Sequence, residues 1–322
     1  SQVIQNIVSK IPEISLPRDK LKNKGMLGRN FEVSIKNKSE WNNIIIRPTP
    51  REEGKINCFT DGSKDDKSSG CAYIIRGKNL QHKGFRNLGK NTSVFQAEIT
   101  ALADLAEELI NRNTEGNIID IYSDSQAAIK ALSKYVISQK TVLECKKLLN
   151  TVGGKNNLNL IWIPSHTGHL GNEIADRLAK LGSGNRSYGH TGQKLVPPVS
   201  TSVAKMALNQ WTDKEHQVSW KQLPKLRQSK MMMPKVTPKI WRDLKDYSRP
   251  EIKVLCYMLT GHAKLKRHMS LMEIEDSPLC DCGEGDEETV YHFLGEWPAF
   301  NMIRYNIFGF QYLNIDQMGN FK

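Results

Sequence analysis

The sequence predicts an α/β protein: a five-stranded mixed sheet flanked by helices, followed by a smaller, mainly helical C-terminal region. Three observations carry this. From Ile56 on, short runs rich in β-branched and aromatic residues alternate with polar turns, as strands do. Between them, apolar residues recur at threes and fours, as in helices packed on a sheet. The resulting order, βββαβααβα across residues 55–183, is that of one mixed sheet covered by helices.

Each element has its own signal. "INCFT" (56–60) and "GCAYIIR" (70–76) are strand-like, and the polar, Gly-containing stretch 61–70 between them suits a hairpin. "LQHKGFR" (80–86) is a third strand. "TSVFQAEITALADLAEELI" then shifts to helical spacing at Ile99, Leu102, Leu105 and Leu109, opened by the capping box Ser93-x-x-Gln96. "NIIDIYSD" is a fourth strand, and "SQAAIKALSKY" and "KTVLECKKLLNTV" are two helices. "NLNLIWIPSH" is a fifth strand ending in a polar loop, and "GNEIADRLAKLGS" is a final helix closed by Gly182.

Around this core the chain divides into four parts. Residues 1–52 form an N-terminal extension with no readable periodicity. Residues 53–183 are the α/β domain. Residues 184–203, rich in Gly, Ser and Pro, read as a linker. Residues 204–322 are the helical region with a Cys/His tail, and no internal repeat is visible. The chain begins with Ser rather than Met, as a fragment of a longer chain would.

Composition narrows the class. Hydrophobic residues make up 39% and charged residues 25%, which fits a globular protein rather than a disordered one. No run reaches the ~18 apolar residues of a membrane span, and the N-terminus lacks a signal-peptide layout. Cys58, Cys71 and Cys145 sit in apolar contexts and read as buried thiols, which suits a reducing, intracellular setting in the nucleus or cytoplasm. The net charge is +12 and unevenly spread: residues 183–267 hold 17 Lys/Arg against 5 Asp/Glu, and residues 268–322 hold 2 against 10. A basic block with Trp211, Trp220 and Trp241 interleaved suits a polyanion bound through phosphate contacts and stacking, although core tryptophans under a basic exterior give the same pattern.

Four acids stand out by position. Asp61 ends the first strand, Glu98 lies in the first turns of the first helix, Asp124 ends the fourth strand, and Asp176 sits on the last helix. Strand ends and helix starts meet at one edge of a sheet, where open α/β sheets place their sites. Taken singly, each acid reads as a turn, cap or solvent-facing residue. Gathered together, four carboxylates would repel unless cations neutralised them, and hard oxygen donors select Mg²⁺ or Mn²⁺.

The blocks "TDGS", "AEITAL", "SDSQAA" and "SHTGHLGNEIAD", in that order, resemble the type 1 ribonuclease H family over about residues 53–183. The resemblance implies that Asp61, Glu98, Asp124 and Asp176 bind two divalent ions and that the protein cleaves the RNA strand of RNA–DNA hybrids. His166 matches the family's loop histidine, which assists proton transfer and product departure, and Asn172 and Glu173 match the adjacent "NE". Cellular members tend to carry polar amides before the helix glutamate, where this chain has Val94 and Phe95. Contact with the hybrid is therefore expected from the backbone at Gly62 and Ser63, from Gln96 and from Asn172. The extra basic handle of some bacterial members is absent. An integrase or transposase of the same broad fold would show three acids at a different spacing and no "SHTGH…NEIAD" block.

The tail carries a second resemblance. "MLTGHAKLKRHM", "SPLCDCG", "ETVYHFL" and "WPAFNMIR" look like the C-terminal region of non-LTR retrotransposon polyproteins, without any Tyr-x-Asp-Asp polymerase motif in this chain. Cys280, Cys282 and His292 offer three zinc ligands, but Gly295 and Trp297 stand where a further cysteine is expected. A closed structural zinc site takes four ligands, so recruitment of His262 or Cys256, an open site and a metal-free remnant are all compatible with the sequence. The alternative to a hybrid-cutting enzyme is a catalytically inactive, nucleic-acid-binding remnant of such a polyprotein.

Overall fold

The computed structural model describes residues 2–42, 44, 46–50, 52–184, 188, 196–236, 242, 244–314 and 317. The chain forms two units, Ser1–Leu208 and Asn209–Lys322.

The first unit is built on a six-stranded sheet. After short helices α1 (Gln2–Lys10) and α2 (Pro12–Ser15) come β1 (Gly25–Met26) and β2 (Glu32–Ser34). Then follow β3 (Lys55–Lys64), β4 (Ser69–Gly77), β5 (Gln81–Gly89), α3 (Val94–Asn111) and β6 (Ile118–Ser123). The rest comprises α4 (Gln126–Ser133), β7 (Val136–Ile137), α5 (Lys140–Gly153), β8 (Asn157–Trp162) and α6 (Leu170–Ser183). The sheet order is β2-β8-β6-β3-β4-β5. β3, β4 and β5 form an antiparallel meander, while β6, β8 and β2 run parallel to β3.

All five expected strands are present, together with four departures. The N-terminal extension supplies a sixth strand, β2, and a second small sheet pairs β1 with β7. Pieces of two or three residues are too short to show a period, so the sequence pattern misses them. The first strand does not end at Asp61: antiparallel pairing with β4 continues to Lys64↔Ser69 and holds β3 extended. Gly182 does not cap α6, because Gly184 does; Gly182 instead lies where a Cβ would come 2.7 Å from the Arg86 carbonyl. Finally, the described end of the linker is docked. Val199 is buried, and its amide donates to the Pro17 carbonyl while its own carbonyl accepts from Asp19 N–H.

Side chains alternate across β3. Phe59 packs against Gly171 at the start of α6, where a Cβ would meet the ring at 2.4 Å. Gly62, of opposite parity, faces α3, where a Cβ would lie 2.4 Å from the Glu98 amide nitrogen. Glycine at both positions lets one helix approach each face. Asp61 shares the parity of Phe59, and so lies on the side of α6.

The second unit is helical. Thr201–Gln222 carries the chain into it, followed by Arg227–Met232, Arg249–Thr260, Lys266–Leu271 and Asn301–Phe308. Trp211 and Trp220 are half-buried, and the Trp220 indole N–H donates to the Met233 carbonyl at 3.0 Å. Trp241 lies outside the described residues. No helix among the described residues is long and apolar enough to cross a membrane.

Candidate active site

Parallel pairing of β3 with β6 runs from Lys55↔Ile118 to Thr60↔Ser123. Asp61 and Asp124 therefore follow the last paired residues side by side. Glu98 comes from α3, whose first turn is fixed by the predicted capping box: Ser93 Oγ accepts from Gln96 N–H, and the Gln96 side chain accepts from Ser93 N–H. Ligand oxygens of Asp61, Glu98 and Asp124 all lie within 4.8 Å of one another. Asp176 stands apart from that trio. Its carboxylate is engaged by Lys180 at 2.7 Å, one helical turn on, yet its charge still reaches both Asp61 and Asp124.

The electrostatics are those of crowded acids. Asp61 is pushed up to about 7, by burial first and then by the charges of Asp124 and Asp176, with Lys180 and the Gly62 amide opposing. Burial chiefly, with Asp61 and Asp124 beside it, raises Glu98 well above the ordinary carboxylate range. Asp124 is also raised, again mainly by burial, against the hydrogen bond from Asn172 and the field of His166. Oε2 of Glu98 is buried and has no hydrogen-bond partner among the described residues. Crowded oxygens, raised proton affinities and a partnerless buried carboxylate oxygen together fit a divalent cation with hard ligands.

Supporting residues surround the trio. The Asn172 amide donates to Asp124 Oδ2 at 3.3 Å, and the Trp162 indole N–H donates to the Asp124 carbonyl at 3.0 Å. Asn172 is buried, so the structure makes it a support for Asp124 rather than a substrate contact. Gln96 needs a plainer correction. It is fully buried, and its amide N–H groups are spent on Asp19 Oδ2 at 2.9 Å and the Pro198 carbonyl at 2.7 Å. It has no free donor for a 2′-hydroxyl. Gly62 is buried and Ser63 half-buried on β3, next to the trio.

His166 is exposed in the loop between β8 and α6, with φ of +55°. His169 is buried as the N-cap residue of α6. Lys180 could have been read from its i+4 spacing to Asp176. The roles of Trp162 and Asn172 toward Asp124 depend on contacts that no local pattern encodes.

In the tail, ligating atoms of Cys280, Cys282 and His292 also lie within 4.8 Å of one another, and Cys282 Sγ is 3.4 Å from His292 Nε2. His292 is buried, and its Nδ1 lies 3.5 Å from a Glu296 carboxylate oxygen. Neither Cys256, which is exposed, nor His262, which stacks edge-on with His268, belongs to this group.

The RNase H family profile matches residues 53–184. The Ribonuclease H of Tropheryma whipplei (strain Twist) is 32% identical over 147 residues, covering 41% of this chain and 87% of that protein. The Ribonuclease HI of Haemophilus ducreyi is 29% identical over 154 residues, covering 42% of this chain and 95% of that protein. Among solved structures, RNase H1 from Halobacterium salinarum NRC-1 matches at 20% identity and a TM-score of 0.34, covering 41% of this chain and 99% of that one. LC11-RNase H1, solved in complex with an RNA/DNA hybrid, matches at 19% identity and a TM-score of 0.34, with 40% and 96% covered.

Proposed function

This chain belongs to the ribonuclease H family, and from that premise we propose that it hydrolyses the RNA strand of RNA–DNA hybrids with two divalent ions, Mg²⁺ or Mn²⁺, held by Asp61, Glu98, Asp124 and Asp176. The observation that carries this reading is the convergence of three carboxylates from β3, α3 and the end of β6 within 4.8 Å. When bound, such a pair of ions supplies an acidified water and a clamp on both sides of an in-line phosphoryl displacement.

The protein's own groups divide the remaining work. The Gly62 backbone amide lowers the proton affinity of both Asp61 and Glu98 and so favours their charged, ligating forms. Asn172 and Trp162 hold the side chain and backbone of Asp124. His166, exposed and near enough for its charge to act on Asp124, would pass a proton to the departing 3′ oxygen. With Gln96 sequestered and the buried Gly62 amide turned to the acids, discrimination of the RNA strand falls to the backbone around the half-buried Ser63.

The test is incubation with Mg²⁺ and a labelled hybrid beside matched RNA and DNA duplexes. Cutting of the hybrid's RNA strand alone, lost in Asp124→Asn, supports the reading. Equal cutting of all three substrates would make the protein a nonspecific nuclease, and binding without cutting would make it an inactive remnant.

The tail motifs support descent from a non-LTR retroelement polyprotein, and the buried thiols support an intracellular setting. The grouping of Cys280, Cys282 and His292 favours zinc over a metal-free remnant, in a site with three protein ligands.

A further inference from the structure

The family match begins at residue 53, yet the segment before it is built into the same body. Ile11, Phe31, Trp41 and Ile46 are buried. Asp19, 3% exposed, accepts hydrogen bonds from the Gln96 side chain of α3 and from both the amide and hydroxyl of Thr141 in α5. β2 extends the sheet along β8, the strand that leads directly into the His166 loop. A short 3₁₀ helix, Lys38–Trp41, held by reciprocal Asn37 and Glu40 capping, then delivers Trp41.

The Trp41 ring stands edge-on to His169, with centroids 5.8 Å apart and planes at 75°. His169 closes the loop 163–169 and opens α6, where its carbonyl accepts from Glu173 N–H. Its start is also anchored, with Ile163 in the core and its amide donating to the Ser123 carbonyl, but the middle of the loop is open to solvent. Residues 165–168 are exposed, and His166 and Gly168 both have positive φ, +55° and +81°. The Thr167 hydroxyl bonds only locally, to the Pro164 carbonyl. A non-glycine residue in the left-handed region persists when its surroundings over-determine it. Trp41 Nε1 and His169 Nδ1 have no hydrogen-bond partner among the described residues, so this contact works through ring packing.

We propose that Trp41 is a positioning residue: through its edge-on contact with His169, the N-terminal segment fixes the loop that carries His166 and the start of α6 that carries Asn172. The catalytic consequence rests on the function proposed above; the structural one does not. The test compares the wild-type, Trp41→Phe and Trp41→Ala forms of this 322-residue chain by amide hydrogen exchange and by steady-state cleavage of a labelled hybrid.

In Trp41→Ala, exchange across residues 163–170 rises by about tenfold, the loss expected for one aromatic contact, while β3 and β6 stay protected. Its kcat falls by a similar factor with KM nearly constant, and Trp41→Phe, which keeps an edge-on ring, stays close to wild type. Where Trp41→Ala fails to fold, Trp41→Leu replaces the ring with an apolar side chain and is read in the same way. Unchanged loop exchange overturns the proposal, as does exchange raised evenly through the whole unit. A wild-type chain that cuts no hybrid overturns the functional reading instead, and the exchange data still decide the positioning role.

Discussion

Asp61 and Asp124 lie side by side because Thr60 and Ser123 are the last residues paired between two parallel strands. Backbone register thus holds two like charges together, at a cost that a cation would offset. Substituting Asp124→Asn keeps the shape and removes one charge. We expect Mg²⁺-dependent cleavage of a hybrid to fall by roughly 10³-fold or more, several kcal/mol of lost charge stabilisation. Calorimetric titration with Mn²⁺ should show weaker binding in the same variant, and unaltered binding would remove Asp124 from the ligand set.

The raised proton affinities fix a pH dependence for the metal-free protein. Asp61 titrates near 7 in the folded chain and near 3.8 when unfolded. The folded state therefore holds a proton that the unfolded state releases above about pH 4. That contribution to stability is complete below pH 4 and is lost as pH rises through 7. With chelator present, Tm should fall between pH 5 and pH 8, and Asp61→Asn should flatten the fall and stabilise the protein at pH 8 by about 1–3 kcal/mol. Divalent ions should restore Tm at pH 8 and release protons on binding. Matching Tm–pH curves for the two proteins in chelator would count against the crowded-acid picture.

Lys180 and Asp176 form an i,i+4 ion pair at 2.7 Å on α6, with both side chains partly exposed. Such a pair is worth about 0–1 kcal/mol, so it competes with a cation only weakly. Removing the lysine charge frees the carboxylate. Lys180→Ala should tighten Mn²⁺ binding by about 2–5-fold, measured by titration at low ionic strength, and the gain should shrink in high salt. Looser binding in that variant would show that Lys180 supports the site rather than competing for Asp176.

How much of this was legible in the sequence depends on the range of each contact. Asp61, Glu98, Asp124 and Asp176 are flagged by local blocks, and the strand and helix order places them at one sheet edge. Gln96 shows the limit. Its capping role is written in a four-residue pattern, but its burial follows from Asp19 and Pro198, 77 and 102 residues away. Trp41 is more extreme, since a lone tryptophan in an aperiodic segment gives no sign that it meets His169. The strand β2 is hidden for the same reason: three residues carry no period, and only the exposed edge of β8 makes them a strand.

The tail offers a test of metal binding that is separate from the acids. Ligating atoms of Cys280, Cys282 and His292 lie within 4.8 Å of one another, Cys282 Sγ is 3.4 Å from His292 Nε2, and the buried ring has a carboxylate 3.5 Å from Nδ1. Zinc-bound histidines commonly present their second nitrogen to a carboxylate, which orients the ring and raises its basicity. Without metal, Cys280 carries a proton affinity raised mainly by burial, so its thiol should react slowly. Zinc would convert both thiols to bound thiolates and link the turn at 280–282 to the segment at 292. Native mass spectrometry should find one zinc ion per chain, lost in Cys282→Ser and in His292→Ala. Chelation should then speed thiol modification at 280 and 282 and loosen residues 278–297 in hydrogen exchange. Both measurements staying flat on chelation would make the cluster a metal-free remnant.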